Sequence, residues 1–126
     1  MGPRTPEDCD RLFEEYVNSG NLDALTGLYE PHAVLIPQKG GDNVVGSVAI
    51  REALAQIIGL KATLTLNVVK MIPAGDGVAM IYNDWNGHGT APDGTTFTMA
   101  GKAIEIMRRQ ADGSWRFVID DPYGRE

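Results

Sequence analysis

The sequence predicts one two-layer α+β domain, with helices first in the chain and a curled antiparallel sheet after them. Apolar residues repeat at helical spacing in the first half of the chain. From Ala62 onward, β-branched and aromatic residues dominate, and three Gly-containing turn signals divide this half into four strands. A chain of 126 residues has room for a single domain, 1–126.

Three helices are predicted from start and stop signals that flank each periodic segment. These signals are, in chain order, Thr5 and Gly20, Asn21 and Pro31, and Ser47 and Gly59. Between the second and third helices, the apolar run Ala33 to Ile36 predicts a buried strand, and residues 38–46 predict a loop.

Four further strands are predicted at about residues 62–72, 77–89, 95–108 and 115–121. Three of them exceed the usual length of about five or six residues. Long antiparallel strands joined by short turns must twist, and Gly87 and Gly101 are places where a strand can bend. The three helices are therefore expected to pack on the concave face of the sheet.

Composition and charge exclude several classes of partner. The net charge of -6 and the pI near 4.8 disfavour nucleic acid and anionic lipid, since both need clustered basic residues. The N-terminal residues contain no apolar signal segment, and Cys9 is the only cysteine. We therefore expect a cytoplasmic protein without disulfides, and core packing as the role of Cys9.

Metal and cofactor sites are not predicted. His32 and His88 are the only histidines, and neither has a second ligand at a recognised spacing. The sequence also contains no phosphate-binding, dinucleotide-binding or nucleophilic-serine motif.

Several short segments, in a specific order, resemble the SnoaL-like and ketosteroid-isomerase-like proteins of the nuclear-transport-factor-two-like superfamily. The segments are 20–25 with Leu28 and Tyr29, 33–35, Gly46 with 49–51, 83–85, 101–103, 112–116 and 119–124. The resemblance covers nearly the whole chain. It implies a cone-shaped fold with an internal pocket between the first helix and the sheet.

The same resemblance implies a homodimer through the outer face of the sheet. Alternation places Tyr82, Asp84, Ile104 and Ile106 on that face. Function varies widely in the superfamily, so the resemblance does not name a reaction.

The catalytic positions of ketosteroid isomerase can be compared with this sequence one by one, because its base, its tyrosine and its protonated acid have separate roles. Aligned on Gly20 and residues 29–37, its base position falls on Pro37 and its tyrosine position falls near Phe13. Pro37 cannot accept a proton, so steroid isomerisation by that mechanism is disfavoured. The resemblance matches Glu105 to the third position, the acid, and a shifted register would instead place Glu105 in solvent.

The resemblance also implies that Asp120 lies inside the cone, where partial burial would raise its pKa into the range of a general acid or base. The alternative is a structural Asp120 that pairs with Arg116, Arg125 or the turn at Pro122. On the last strand, alternation groups Phe117 with Ile119 and places Asp120 on the opposite face.

The predicted ligand site combines polar and aromatic side chains. Asn83 and Gln38 are expected to orient polar atoms, and Phe13, Tyr16 and Trp85 are expected to form the walls. Trp85 could also serve only as core packing.

Two functions follow from these observations. The first is cofactor-free acid–base chemistry, such as isomerisation, cyclisation or dehydration, by Asp120 and Glu105 on a small apolar or polyketide-like molecule. The second is a non-catalytic binding or dimerisation module.

Overall fold

The computed structural model describes residues 2–126, and it confirms the predicted α+β class. The helices are α1 (Pro6–Ser19), α2 (Leu22–Thr26) and α3 (Ser47–Gly59). The strands are β1 (Tyr29–Leu35), β2 (Val44–Val45), β3 (Thr63–Ala74), β4 (Val78–Thr90), β5 (Thr96–Arg109) and β6 (Trp115–Asp121).

The strands form one six-stranded sheet in the order β2-β1-β6-β5-β4-β3. Strands β3 to β6 make the expected antiparallel meander. The sheet is nevertheless mixed, because β1 runs parallel to β6. This parallel pairing, which joins two segments far apart in the sequence, is the one departure from the predicted antiparallel arrangement.

Helix α1 forms as its capping residues predict. The Thr5 side chain accepts a hydrogen bond from the backbone N–H of Asp8 at 3.2 Å, and Gly20 ends the helix with φ of 72°. Helix α3 differs in detail, because Gly46 occupies the N-cap position and Ser47 is the first helical residue.

Helix α2 is shorter than predicted. It ends at Thr26 with Gly27 as its C-cap, so Leu28 lies outside the helix and Tyr29 begins β1. The cause is a long-range pairing, since the Leu28 carbonyl accepts a hydrogen bond from the Phe117 N–H at 2.8 Å. Pro31 therefore lies inside a strand instead of stopping a helix.

Side chains of α1 cap part of the free edge of β3. Asn18 both accepts from the Leu64 N–H (2.8 Å) and donates to the Leu64 carbonyl (2.9 Å). One helical turn earlier, Glu14 accepts from the Leu66 N–H at 2.7 Å. A helical turn of about 5.4 Å roughly matches the spacing of alternate strand residues, so these three bonds fix α1 against the sheet.

The hydrophobic core lies between the helices and the inner face of the sheet. Buried residues of this core include Cys9, Leu12, Ile50, Leu54, Ile81, Met107 and Phe117. Burial raises the pKa of the Cys9 thiol, which suits the predicted packing role.

Gly87 and Gly101 provide space for neighbouring side chains. A Cβ atom at Gly87 would lie 2.5 Å from Leu64 Cδ2, and one at Gly101 would lie 2.5 Å from Trp85 Nε1. At Gly101 a Cβ atom would also lie 2.7 Å from the Pro122 carbonyl oxygen, so this position requires glycine, whereas the atoms close to Gly87 belong to the flexible side chains of Leu64 and Met99.

Among the helices of residues 2–126, none has the length and apolar character needed to cross a membrane.

Candidate functional site

An apolar cavity of about 130 Å³ lies between the helices and the inner face of the sheet. Its apolar wall includes Phe13, Ile57, Leu64, Leu66, Trp85, Met99 and Tyr123. Three polar side chains, those of Asn83, Glu105 and Asp120, also line it. All three are buried, with exposed fractions of 1%, 3% and 2%. The cavity therefore joins a hydrophobic wall to a small buried polar cluster.

The pairing of β4, β5 and β6 assembles this cluster. Glu105 lies opposite Ile81 of β4 on one side and opposite Asp120 of β6 on the other. Residues opposite each other in a sheet point to the same face, so Glu105 and Asp120 share the cavity side. The shifted register that would place Glu105 in solvent is not observed.

A bulge in β6 turns Asp120 inward together with Phe117. The β5–β6 register shifts between Ile106 and Met107, which pair with Ile119 and Phe117. Phe117 and Asp120 are both buried, whereas Ile119 is 38% exposed. The predicted alternation, with Phe117 and Ile119 on one face, was wrong because it did not include the extra residue.

The buried partner of Asp120 is Tyr29. The Tyr29 hydroxyl donates to Asp120 Oδ2 at 2.5 Å. Burial raises the pKa of Asp120 to about 7, and the Tyr29 hydrogen bond opposes part of that rise. The arginine alternative is not observed for Arg125, which pairs with Asp84 at 2.7 Å.

Asp10 is a third buried carboxyl group, and the sequence prediction missed it. It is 2% exposed on α1, and it accepts a hydrogen bond from Asn83 Nδ2 at 3.1 Å. A signal was present, since Asp10 precedes Phe13 by three residues and Val17 by seven, which places it on an inward helical face.

The carboxyl groups of Asp10 and Glu105 form a coupled pair. Burial raises the pKa of Glu105 well above its usual value, and the Asp10 charge and hydrogen bond add to this rise. Burial also raises the pKa of Asp10. Within residues 2–126, Asp10 Oδ1 and Glu105 Oε1 have no donor partner. The raised pKa values favour the protonated form of both groups, and of Glu105 most strongly.

The other residues of the predicted site are distributed unevenly. Phe13 lines the cavity, and so does Pro37. Gln38 is exposed in the loop after β1, outside the cavity lining. Tyr16 borders a separate pocket beside Pro3.

Trp85 lines the cavity, but its indole N–H is not free for a ligand. It donates to the Pro122 carbonyl at 2.7 Å, and the Tyr123 ring packs against the indole with centroids 5.7 Å apart. Trp85 therefore offers a ligand its ring face and holds the C-terminal segment at the cavity.

Within the part of the chain that the structure describes, no group of three or more His, Cys, Asp and Glu side chains is arranged to hold a metal ion.

Comparisons with solved structures agree on the fold at low sequence identity. A ketosteroid isomerase-like protein from Erwinia carotovora atroseptica has a TM-score of 0.79 and 17% identity, over 91% of this chain and 89% of that one. A candidate dehydratase of the nuclear-transport-factor-two-like family from Streptomyces avermitilis has a TM-score of 0.71 and 15% identity, over 90% and 88%.

A third similar structure is described as a candidate association domain of calcium/calmodulin-dependent protein kinase type II. This protein, from Thiobacillus denitrificans, has a TM-score of 0.76 and 23% identity, over 97% of both chains. A comparison with curated proteins finds no match.

A match to a family model identifies the family to which the sequence belongs. The family model of the SnoaL-like domain matches residues 10–118. This range extends from the buried Asp10 on α1 into β6, and so contains most of the cavity wall. The chain therefore belongs to the SnoaL-like family, and its fold is the cone-shaped α+β fold of the nuclear-transport-factor-two-like proteins.

Proposed function

We propose that this protein binds a small, largely apolar molecule in the cavity and performs cofactor-free acid–base chemistry on it. Isomerisation, cyclisation and dehydration are reactions of this type. One observation carries the proposal: Asp120, with its pKa raised to about 7 by burial, lines an apolar cavity. A group with a pKa near neutrality exchanges protons efficiently in both directions.

The two cavity carboxyl groups take different roles in this proposal. Asp120 is ionised in a large fraction of molecules at neutral pH, so it accepts a proton from the ligand and returns it at a second atom. Glu105, whose pKa burial and the Asp10 charge raise, is the protonated acid of this proposal, and its O–H donates to the negative charge that develops on the ligand. Tyr29 fixes the orientation of the Asp120 carboxylate.

This arrangement differs from the ketosteroid isomerase pattern at two positions. Pro37 stands at the base position, and Phe13 stands near the tyrosine position. Asp120 and Tyr29 replace them from β6 and β1. In this proposal the protein keeps the acid–base class of reaction of ketosteroid isomerase. Its base approaches the ligand from a different side of the cavity.

The proposal can be tested without knowledge of the natural ligand, by use of a general substrate for a buried base. The base-catalysed ring opening of a nitrobenzisoxazole needs one desolvated carboxylate and gives a coloured product. We expect turnover that rises with pH around about 7, and a loss of about 100-fold or more in Asp120→Asn.

The matched control is Asp23→Asn, which changes an exposed acid on α2 and should keep wild-type turnover. Equal turnover in Asp120→Asn and the wild type would refute a catalytic Asp120.

A non-catalytic binding module is the second candidate function. The observation that favours it is the Tyr29–Asp120 hydrogen bond, which already gives the carboxylate a buried partner. Under this alternative, Asp120→Asn changes only the stability of the protein and its dependence on pH. No benzisoxazole turnover would occur in any variant.

We also propose a homodimer formed through the outer face of the sheet. An apolar row crosses all six strands there, as successive cross-strand partners. Its members are Val45, Val34, Ile119, Ile106, Met80 and Ile72. A continuous apolar row of this kind favours burial against a second surface.

Three of the residues that alternation places on the outer face are partly covered within the chain. The Arg125 guanidinium lies 4.9 Å from the Tyr82 ring centroid and pairs with Asp84. Ile104 is a close neighbour of Gly124. The C-terminal segment thus covers one end of this face, and the proposed contact centres on Ile106 and Ile119.

A further inference from the structure

The polar lining of the cavity is unbalanced. Among the residues that the structure describes, no Lys, Arg or His contributes to the lining, which contains two carboxyl groups. The Trp85 N–H is occupied by the Pro122 carbonyl. Apart from the protonated Glu105, the buried polar groups of the lining are therefore hydrogen-bond acceptors, namely the Asp120 carboxylate and the Asn83 amide oxygen.

An unsatisfied acceptor lies in this lining. In the described chain, the Oδ1 atom of Asn83 has no hydrogen-bond partner, although Asn83 is 1% exposed. Its Nδ2 group is used by Asp10. Leaving such a buried atom unpaired costs about 1–3 kcal/mol. A ligand that brings a donor to Asn83 would remove this cost.

The negative charge in the cluster is also uncompensated. An ionised Asp120 places negative charge in a site whose described lining holds no cation. Burying a carboxylate without a counter-charge costs several kcal/mol. A cationic ligand would supply the missing charge.

The apolar wall suits a cation as well. Phe13, Trp85 and Tyr123 line the same cavity as the carboxyl groups. Aromatic ring faces attract an ammonium group within about 6 Å, and the attraction grows when water is excluded. The volume of about 130 Å³ is slightly below that of an engineered cavity of about 150 Å³ that holds benzene. The buried part of the ligand is therefore roughly one six-membered ring.

We propose that the cavity selects small apolar amines, bound as ammonium ions that donate hydrogen bonds to Asp120 and Asn83 and lie against the aromatic wall. This inference names the polar end of the ligand in the proposed acid–base site, so it rests on that proposed function.

The test compares three ligands of nearly equal shape: benzylamine, benzyl alcohol and benzoate. Isothermal titration calorimetry of the whole chain at neutral pH gives their affinities. A charged hydrogen bond of about 1.5–3 kcal/mol predicts benzylamine binding about 10- to 100-fold tighter than benzyl alcohol, with benzoate weakest. A ranking in which benzyl alcohol or benzoate equals or exceeds benzylamine overturns the inference.

Proton release gives a second readout on the unmodified protein. An ammonium ion favours the ionised form of Asp120, so benzylamine binding should release protons near neutral pH. Titration in two buffers of different ionisation enthalpy measures this release. Benzylamine binding with no proton release, or with proton uptake, contradicts the proposed contact.

Two variants show whether the affinity for benzylamine comes from Asp120 in the cavity or from the negative net charge of the whole protein. Asp120→Asn should lose about 10-fold or more in benzylamine affinity and keep its benzyl alcohol affinity. Asp23→Asn removes the same formal charge from an exposed position and should keep the wild-type ranking. If both variants weaken benzylamine equally, the preference comes from net charge and the inference fails.

Failure of the amine inference can be distinguished from failure of the proposed acid–base function. A protein that opens the benzisoxazole but prefers benzyl alcohol retains the acid–base function and loses the amine inference. A protein that binds benzylamine selectively through Asp120 without any turnover keeps the ligand class and loses the catalysis. Should Asp120→Asn fail to fold, the ligand ranking and proton release of the wild-type chain decide alone.

Discussion

The Tyr29 hydroxyl donates a hydrogen bond to Asp120 across 91 positions of sequence, and it does so inside the core. Because this bond favours the ionised carboxylate, Tyr29→Phe should raise the pKa of Asp120 above its value of about 7. Carboxyl carbon chemical shifts followed by NMR during a pH titration measure the change.

Tyr16→Phe is the matched control for this variant, because Tyr16 borders the separate pocket beside Pro3. The Asp120 titration should be the same in this control and in the wild type. A Tyr29→Phe titration curve shifted to lower pH, or not shifted, would show that the hydroxyl does not stabilise the ionised form.

Stability should fall as pH rises from about 4 to about 7. Burial raises the pKa of Asp120 from its ordinary value of 3.8 to about 7 in the folded chain. The folded state therefore binds more protons than the unfolded state in this window, and each such group lowers the free energy of unfolding by about 1.4 kcal/mol per pH unit. Asp10 and Glu105, whose pKa values are also raised, add to the slope. Urea denaturation at several pH values measures it.

Surface carboxyl groups make the free energy of unfolding rise with pH, but only at lower pH. The pKa values of Asp8, Glu30, Asp93 and Asp112 are lowered in the folded chain. Their stabilising effect is complete above about pH 5, where the unfolded groups are also ionised. Above that pH, Asp120→Asn should make the decline of the free energy of unfolding with pH less steep, by the contribution of one titrating group. Stability that rises between about pH 5 and about 7 would contradict the burial of these acids in their protonated forms.

Gly101→Ala should disrupt the attachment of the C-terminal segment. The added methyl group would lie 2.5 Å from Trp85 Nε1 and 2.7 Å from the Pro122 carbonyl. Overpacking of this kind costs about 1–3 kcal/mol. We expect a lower Tm and changed Trp85 emission in a Trp115→Phe background.

Gly59→Ala provides the comparison, since a Cβ atom there meets no atom within 4 Å and φ is not positive. This control should be neutral or slightly stabilising. Equal behaviour of the two alanine variants would argue that the Trp85–Pro122 contact does not depend on Gly101.

Ile119→Asp should convert the proposed dimer to a monomer. Ile119 lies in the middle of the apolar row and is 38% exposed, so the substitution adds a charge to the interface without a large effect on the monomer. Sedimentation velocity at micromolar concentration measures the change. Val48→Asp, on the 76% exposed Val48 of α3, should leave the oligomeric state unchanged. A wild-type chain that sediments as a monomer at all concentrations refutes the interface.

Local patterns predicted much of the fold and part of the candidate site. Gly-containing turns predicted the β3–β6 meander from residues close in sequence. Alternation within a strand groups Asn83 with Trp85 on one face, and the family resemblance turned that face and Glu105 toward the pocket, where each of the three lines the cavity.

The remaining features depend on contacts between distant segments. Tyr29 fits the helical spacing of α2, and only its pairing with β6 makes it a strand residue and the partner of Asp120. Asp10 is separated from Asn83 by 73 positions, and an acid in a helical pattern normally indicates an exposed position. The β6 bulge likewise depends on the partner strand, so alternation assigned Phe117 and Ile119 to one face.

The capping of β3 by α1 also bears on how the chain avoids self-association through strand pairing. An uncovered outer strand is a template for another chain's backbone and for fibril growth. Here Asn18 and Glu14 occupy the backbone groups at Leu64 and Leu66. The same strand then shifts register near Lys70 and carries Pro73, which cannot donate a backbone hydrogen bond. Loss of the two α1 side chains would therefore expose backbone groups of β3 to which another chain could pair.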